Sequence, residues 1–95
     1  MNLVDLSVVY KSVSKKDGGE FINDKGEKIQ YDPSYVVKFD EEVNGEIQER
    51  RLKFPLSNKT LYGKLSELSP YSKITLVCDV QLFTGNAKIL PVDIK

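Results

Sequence analysis

Apolar and polar side chains alternate along most of this 95-residue chain, a spacing typical of β-strands that bury one face. The first such run covers residues 3–13, where the apolar face extends from Val4 to Tyr10. Four more alternating runs cover residues 35–42, 46–55, 74–83 and 87–95. The pattern therefore predicts five strands.

Two turn signals and one helical segment separate the later strands. Asn44-Gly45 tolerates the positive φ angles of a type I′ turn and predicts a hairpin between the second and third strands. Thr84-Gly85-Asn86 predicts another hairpin between the fourth and fifth strands. Residues 57–69 have helical spacing, with Ser57 or Asn58 as the N-cap. The apolar positions of this helix are Leu61, Leu65 and Leu68.

The resulting order, β-β-β-α-β-β, predicts an all-β fold with one short helix. We expect a closed or nearly closed five-stranded OB-type barrel, plugged by the helix between strands three and four; an SH3-like or other small barrel is the alternative. Ile47 is out of phase with Leu52, which predicts a bulge at residues 48–50. One domain should cover residues 1–95. Its long segment at 14–32, a loop or a floppy hairpin, is typical of a segment that binds something or is disordered.

The composition argues against an enzyme. The chain has no His, no Trp and one Cys, and it contains no glycine motif for nucleotide binding. Cys78 lies at an apolar position of a strand, which favours a buried hydrophobe over a nucleophile. The acids between Asp40 and Glu49 lack the residue spacing of a calcium loop. We therefore expect no catalytic residue, no cofactor and no metal.

Targeting signals are also missing from the sequence. No apolar run reaches the roughly 18 to 20 residues of a membrane span. The first ten residues carry Asp5 and no basic residue, unlike a secretory leader. We therefore expect a cytoplasmic protein with no membrane partner.

The net charge of zero conceals an uneven distribution. Residues 1–53 hold 11 acids and 9 bases, whereas residues 54–95 hold 3 acids and 5 bases. Many of the acids lie in the hairpin at 40–49. A basic surface elsewhere and a mixed-charge solvated face both fit this distribution.

The element order, the long early loop and the last hairpin, ITLVCDVQLFTGNAKILPVDIK, carry a family resemblance. The chain resembles the small OB-fold single-stranded DNA-binding proteins of phages and Gram-positive mobile elements, of the gene V type. The resemblance implies cooperative, largely sequence-independent binding to single strands, often as a dimer. The acidic stretch FDEEVNGEIQE departs from a phosphate-binding surface.

Single-strand binding requires cations along the phosphates and flat aromatic faces for unpaired bases. In an OB fold these groups lie on the outer face of strands two and three and on the loops beside it. Packing of the long loop is the alternative role for Phe21 and Tyr31, and packing beneath that loop is the alternative for Phe83. The candidate residues are Lys15, Lys16, Phe21, Lys25, Lys28, Tyr31, Lys38, Arg51, Lys53, Phe83 and Lys88.

These patterns together predict a single-stranded DNA-binding protein, largely independent of base sequence, that serves phage or mobile-element DNA replication. Single-stranded DNA is favoured over RNA as the partner, and a homodimer and a replication-protein partner are further expectations. The alternative is a non-catalytic protein-protein adaptor that uses the acidic 40–49 hairpin to dock a basic partner.

Overall fold

The computed structural model describes residues 2–95, without the side chain of Phe83. Within that range the chain forms seven strands and one helix. The elements are β1 (Leu3–Lys16), β2 (Gly19–Ile22), β3 (Lys28–Tyr31), β4 (Ser34–Val43), β5 (Glu46–Pro55), α1 (Lys59–Ser66), β6 (Lys73–Phe83) and β7 (Asn86–Ile94).

Five strands form one antiparallel sheet in the order β5-β4-β1-β6-β7. The sheet curls so strongly that its edge strands, β5 and β7, come close to each other. No ladder joins these edges among residues 2–95, so the sheet forms a half-barrel. Helix α1 follows the third strand of this sheet along the chain and contacts β1 and β7. The prediction of an all-β, OB-like fold with one short helix is confirmed.

The two predicted hairpin turns are also present. Asn44 and Gly45 both have positive φ angles, 53° and 81°, as the two central residues of a type I′ turn require. The register of β4 with β5 then runs without interruption from Val43 opposite Glu46 to Ser34 opposite Pro55.

The predicted bulge at residues 48–50 is wrong, because that register has no shift. Ile47 keeps its place in the ladder and points outward, with 76% of its surface exposed. The irregularities lie elsewhere, at Lys11 of β1 and at Val92 of β7, the residues left without a ladder partner. Bulges bend the strands that carry them and increase their twist, here in the central strand β1 and the edge strand β7 of the curled sheet.

Segment 14–32 is more ordered than a loop. Strand β1 continues to Lys16, and β2 and β3 then pair as a separate two-stranded hairpin, which we call the arm (residues 19–31). The arm prolongs the β1–β4 ladder after a break of two residues on each side. A side chain at Gly18 would place its Cβ 2.7 Å from the carbonyl oxygen of Tyr31, so glycine is required at this junction.

The core lies between the concave face of the sheet and α1. Phe39, Phe54 and Leu76 are almost completely buried, and so are the helix residues Leu61 and Leu65. The confirmed N-cap residue is Asn58, whose Oδ1 accepts a hydrogen bond from the Leu61 amide at 3.1 Å. Its Nδ2 donates to the Val92 carbonyl at 3.1 Å, which ties the helix to β7. Leu68 lies just beyond the helix and is half-buried.

Candidate nucleic-acid interface

The convex face of β1, β4 and β5, which we call the outer face, presents its side chains in rows across the three strands. Ladder partners share a face of the sheet, so the register defines each row. Successive rows are about 6.6 Å apart and neighbouring strands about 4.8 Å apart. The three rows nearest the arm are Lys16–Ser34–Pro55, Ser14–Val36–Lys53 and Ser12–Lys38–Arg51.

A concave region of about 370 Å³, which we call the basic depression, lies in these rows. Arg51 and Lys53 project into it from β5, and neither is in an ion pair with any side chain among residues 2–95. Four of the predicted binding residues are therefore brought together here. The depression is lined by Ser14, Lys15, Lys16, Val36, Arg51 and Lys53.

Lys38 lies on the predicted face but is already paired. Its Nζ is 2.8 Å from Oε1 of Glu49, the residue diagonal to it across the β4–β5 ladder. Lys38 also lies directly opposite Arg51, and like charges in that position repel. Glu49 offsets this repulsion and withdraws the Lys38 ammonium group from the basic depression.

The next row of the outer face is acidic. Asp40 and Glu49 lie opposite each other on β4 and β5, beside Val9 of β1. Lys11 projects from the β1 bulge, with its Nζ 3.1 Å from Asp40 Oδ1 and 3.7 Å from Glu49 Oε1. The basic surface therefore ends within one row, at a network of two ammonium and two carboxylate groups.

The arm carries two of the three predicted aromatic residues. The rings of Phe21 and Tyr31 lie 6.2 Å apart and are tilted by 44°. Their exposed fractions are 52% and 44%, and neither belongs to the hydrophobic core cluster. The Tyr31 ring lies over Gly19, where a Cβ would come within 2.7 Å of the Tyr31 hydroxyl oxygen. The arm thus presents an exposed aromatic face at the end of the β1–β4 ladder. In the alternation of that ladder, Phe21 and Tyr31 are in phase with Val13 and Tyr35 and not with the outer-face rows.

The remaining candidates are more scattered. Lys28 Nζ is 3.0 Å from Glu20 Oε2 on the arm, and Lys25 lies in the turn of the arm. Lys88 is exposed on β7, the sheet edge opposite β5. The predicted stacking residue Phe83 ends β6, and its side chain lies outside the part of the chain that the structure describes.

The sequence interpretation missed four residues of this surface. Ser14 and Val36 line the basic depression, and Lys11 and Glu49 form its acidic boundary. One signal could have revealed Glu49, because an uninterrupted Asn44-Gly45 hairpin places it diagonal to Lys38. The alternation of the first strand could not have revealed Ser14, since it puts even-numbered residues such as Tyr10 on the core face, and only the bulge at Lys11 moves Ser14 to the outer face.

Three of the five acids in the 40–49 hairpin, Asp40, Glu41 and Glu49, are in ion pairs within residues 2–95. Besides the Lys11 contacts, Arg50 Nη1 lies 2.6 Å from Glu41 Oε2. A depression of about 500 Å³ lies at this end of the outer face, and Val9, Ile47 and Ile74 are among its apolar lining residues. Among residues 2–95, no group of three or more His, Cys, Asp or Glu side chains is arranged to hold a metal ion.

Cys78 belongs to the hydrophobic core and not to these exposed surfaces. Its side chain is completely buried, and burial raises the pKa of its thiol to about 11. Because the thiolate is the reactive form, this cysteine is inert at neutral pH. The interpretation of Cys78 as a small buried hydrophobe agrees with this environment.

Comparisons with known proteins identify no relative of this chain. No protein-family model, curated protein or solved structure matches this chain significantly. No helix among the described residues is long and apolar enough to cross a membrane. The outer face and the arm are therefore the features of this molecule that bear on its function.

Proposed function

We propose that this chain is a non-enzymatic single-stranded DNA-binding protein. The phosphates would lie at the basic depression of the outer face, and the strand would continue past the end of the β1–β4 ladder to place its bases against the arm. The observation that carries the proposal is the cluster of cations at the basic depression, where Arg51 and Lys53 have no carboxylate partner among residues 2–95.

Phosphate recognition follows from the chemistry of that cluster. A guanidinium and several ammonium groups attract a polyanion and release its counterions. The hydroxyl of Ser14 adds a hydrogen-bond donor beside them. Val36 provides an apolar floor between the cations, suited to the carbon atoms of a sugar or a base.

The preference for a single strand rests on the aromatic face of the arm. Base faces are accessible for stacking only where bases are unpaired, and stacking on an aromatic ring tolerates any base. The rings of Phe21 and Tyr31 are about half-exposed and are therefore accessible for such stacking. Binding should therefore favour single strands over duplexes and depend weakly on sequence.

The biological setting is proposed from the family resemblance alone. Proteins of that type suggest DNA rather than RNA as the ligand, replication of a phage or mobile element as the process, and the cytoplasm as the location. A homodimer and a replication-protein partner are proposed on the same basis.

The adaptor remains the second candidate. It is favoured by the 500 Å³ depression at the acidic end, with its exposed Ile47. However, a basic partner would have to displace Lys11 and Arg50 from carboxylates that they already neutralise. The intrachain pairing therefore weakens the attraction on which the adaptor depends.

A direct titration separates the two candidates. Fluorescein-labelled oligo-dT and a duplex of equal length are titrated with the protein at low salt. The proposal predicts binding to oligo-dT, weaker binding to the duplex, and loss of binding in the Arg51→Ala, Lys53→Ala double variant. A lack of measurable affinity for oligo-dT at low salt would favour the adaptor.

A further inference from the structure

We propose that Glu49 ends the DNA path by occupying Lys38 and Lys11 in place of a phosphate. The inference rests on the proposed single-strand binding. The Glu49 carboxylate would then set where the DNA path ends, and therefore how many nucleotides one molecule covers.

Glu49 follows Lys53 and Arg51 in the series of β5 residues on the outer face. Arg51 and Lys53 lie two residues apart on β5, about 6.6 Å along the strand, and Glu49 is the next residue of β5 on the same face. A series of phosphate-binding positions along β5 would continue at residue 49. A carboxylate there repels the next phosphate.

The second argument is what the carboxylate touches. Glu49 Oε1 lies 2.8 Å from Lys38 Nζ and 3.7 Å from Lys11 Nζ. This oxygen therefore occupies the Lys38 ammonium group, which would otherwise extend the basic surface by one row, and it also approaches Lys11, which Asp40 holds more closely at 3.1 Å. Charged groups that share a carboxylate in this way are less available to a phosphate oxygen.

The third argument is accessibility. The Lys38 and Glu49 side chains are 35% and 41% exposed, so solvent and a ligand both reach them. An exposed ion pair contributes little to stability. Removing the carboxylate should therefore change binding without unfolding the sheet.

The test is the Glu49→Gln variant, measured against oligo-dT over a range of salt concentrations and oligonucleotide lengths. Affinity should rise by about two- to fivefold, as expected for one exposed charge contact. The dependence of log K on log salt should steepen by about one phosphate contact. The shortest oligonucleotide that gives full affinity should lengthen by about one nucleotide.

Two controls isolate the role of the position. Glu46→Gln makes the same charge change at the exposed first residue of β5, next to the β4–β5 turn and outside both the basic depression and the ion-pair network. It should leave affinity and length dependence nearly unchanged. Adding Lys38→Ala to Glu49→Gln should remove most of the gain, because Lys38 is the main cation that Glu49 occupies.

The outcomes distinguish this inference from the function on which it rests. If the wild-type protein binds oligo-dT but Glu49→Gln behaves like Glu46→Gln, Glu49 is not the boundary and the proposed function stands. If the wild-type protein and both glutamine variants show no affinity for oligo-dT, the inference and the proposed function fail together.

Discussion

Cys78 shows how a single residue responds to its place in the fold. It lies between Val4 on β1 and Pro91 on β7 in the ladders, with no exposed surface. Burial raises its pKa from 9.0 to about 11. The protonated thiol is thus favoured in the native state over a wider pH range than in the unfolded chain.

This shift predicts a loss of stability at alkaline pH. The stabilisation is fully present below about pH 9 and is lost as the pH rises towards about 11, because the unfolded chain releases the proton first. The loss is at most about 1.4 kcal/mol per pH unit. Thermal melts should show a steeper decline between these pH values for the wild-type protein than for Cys78→Ala. Parallel declines would contradict the assignment.

Arg51 provides a test of phosphate contact at the scale of one residue. Arg51→Ala should weaken oligo-dT binding and lower the salt dependence by about one phosphate contact. The matched control is Lys59→Ala, an exposed cation at the start of α1 that does not line the basic depression. Equal effects of the two variants would show that net charge, not position, controls binding.

At the scale of elements, substitutions in the arm distinguish base stacking from the attraction between charges. Phe21→Ala should weaken oligo-dT binding by roughly 1–3 kcal/mol, with little change in salt dependence. Ile22→Ala is the control, since Ile22 is 73% exposed on the other face of the arm. Both variants should retain the wild-type melting temperature. A lower melting temperature with unchanged affinity for Phe21→Ala would assign that ring to packing.

The junction of α1 with β7 predicts a stability effect that should not alter DNA contacts. Asn58→Ala removes both the cap to the Leu61 amide and the bond to the Val92 carbonyl, and should destabilise the fold by about 1–2 kcal/mol. Asn58→Asp keeps the capping oxygen and loses only the donor, so denaturant unfolding should place it between the wild-type protein and Asn58→Ala. A more stable Asn58→Ala would contradict this role.

The elements were predictable where local chemistry determines them. Asn44-Gly45 specifies its turn through positive φ angles, and the spacing of Leu61 and Leu65 specifies the buried side of the helix. The arm was not resolved, because four-residue strands in a polar segment carry a weak alternation signal. The prediction of a bulge at 48–50 was wrong because one exposed apolar residue, Ile47, was interpreted as a change in which face of the strand is apolar.

The site was predictable to the level of strand and face. The predicted face of the sheet placed Lys38, Arg51 and Lys53 correctly, since the hairpin register fixes the alternation. Whether a cation is free depends on side chains across the sheet. Lys38 is paired with Glu49, whereas Arg51 and Lys53 have no such partner among residues 2–95, and composition carries no signal of that difference.

At the scale of the whole molecule, zero net charge and a basic binding surface are compatible. Ion pairs among residues 2–95 neutralise three of the five acids of the 40–49 hairpin, with Lys11, Lys38 and Arg50 as partners. Lys53 lies two rows, about 13 Å, from Asp40 and Glu49, whereas Arg51 lies in the adjacent row, about 6.6 Å away. Local potential, not net charge, controls the attraction of a polyanion within a Debye length of about 8–10 Å.

The salt dependence of oligo-dT binding tests the central claim most directly. Three to four phosphate contacts at the basic depression, each contributing about 0.7 to the slope for a single strand, predict a fall in affinity of about 20- to 50-fold between about 50 and 200 mM salt. Binding that is absent at the lower salt concentration, or that is unchanged between the two, would contradict a single-stranded DNA interface on this face of the sheet.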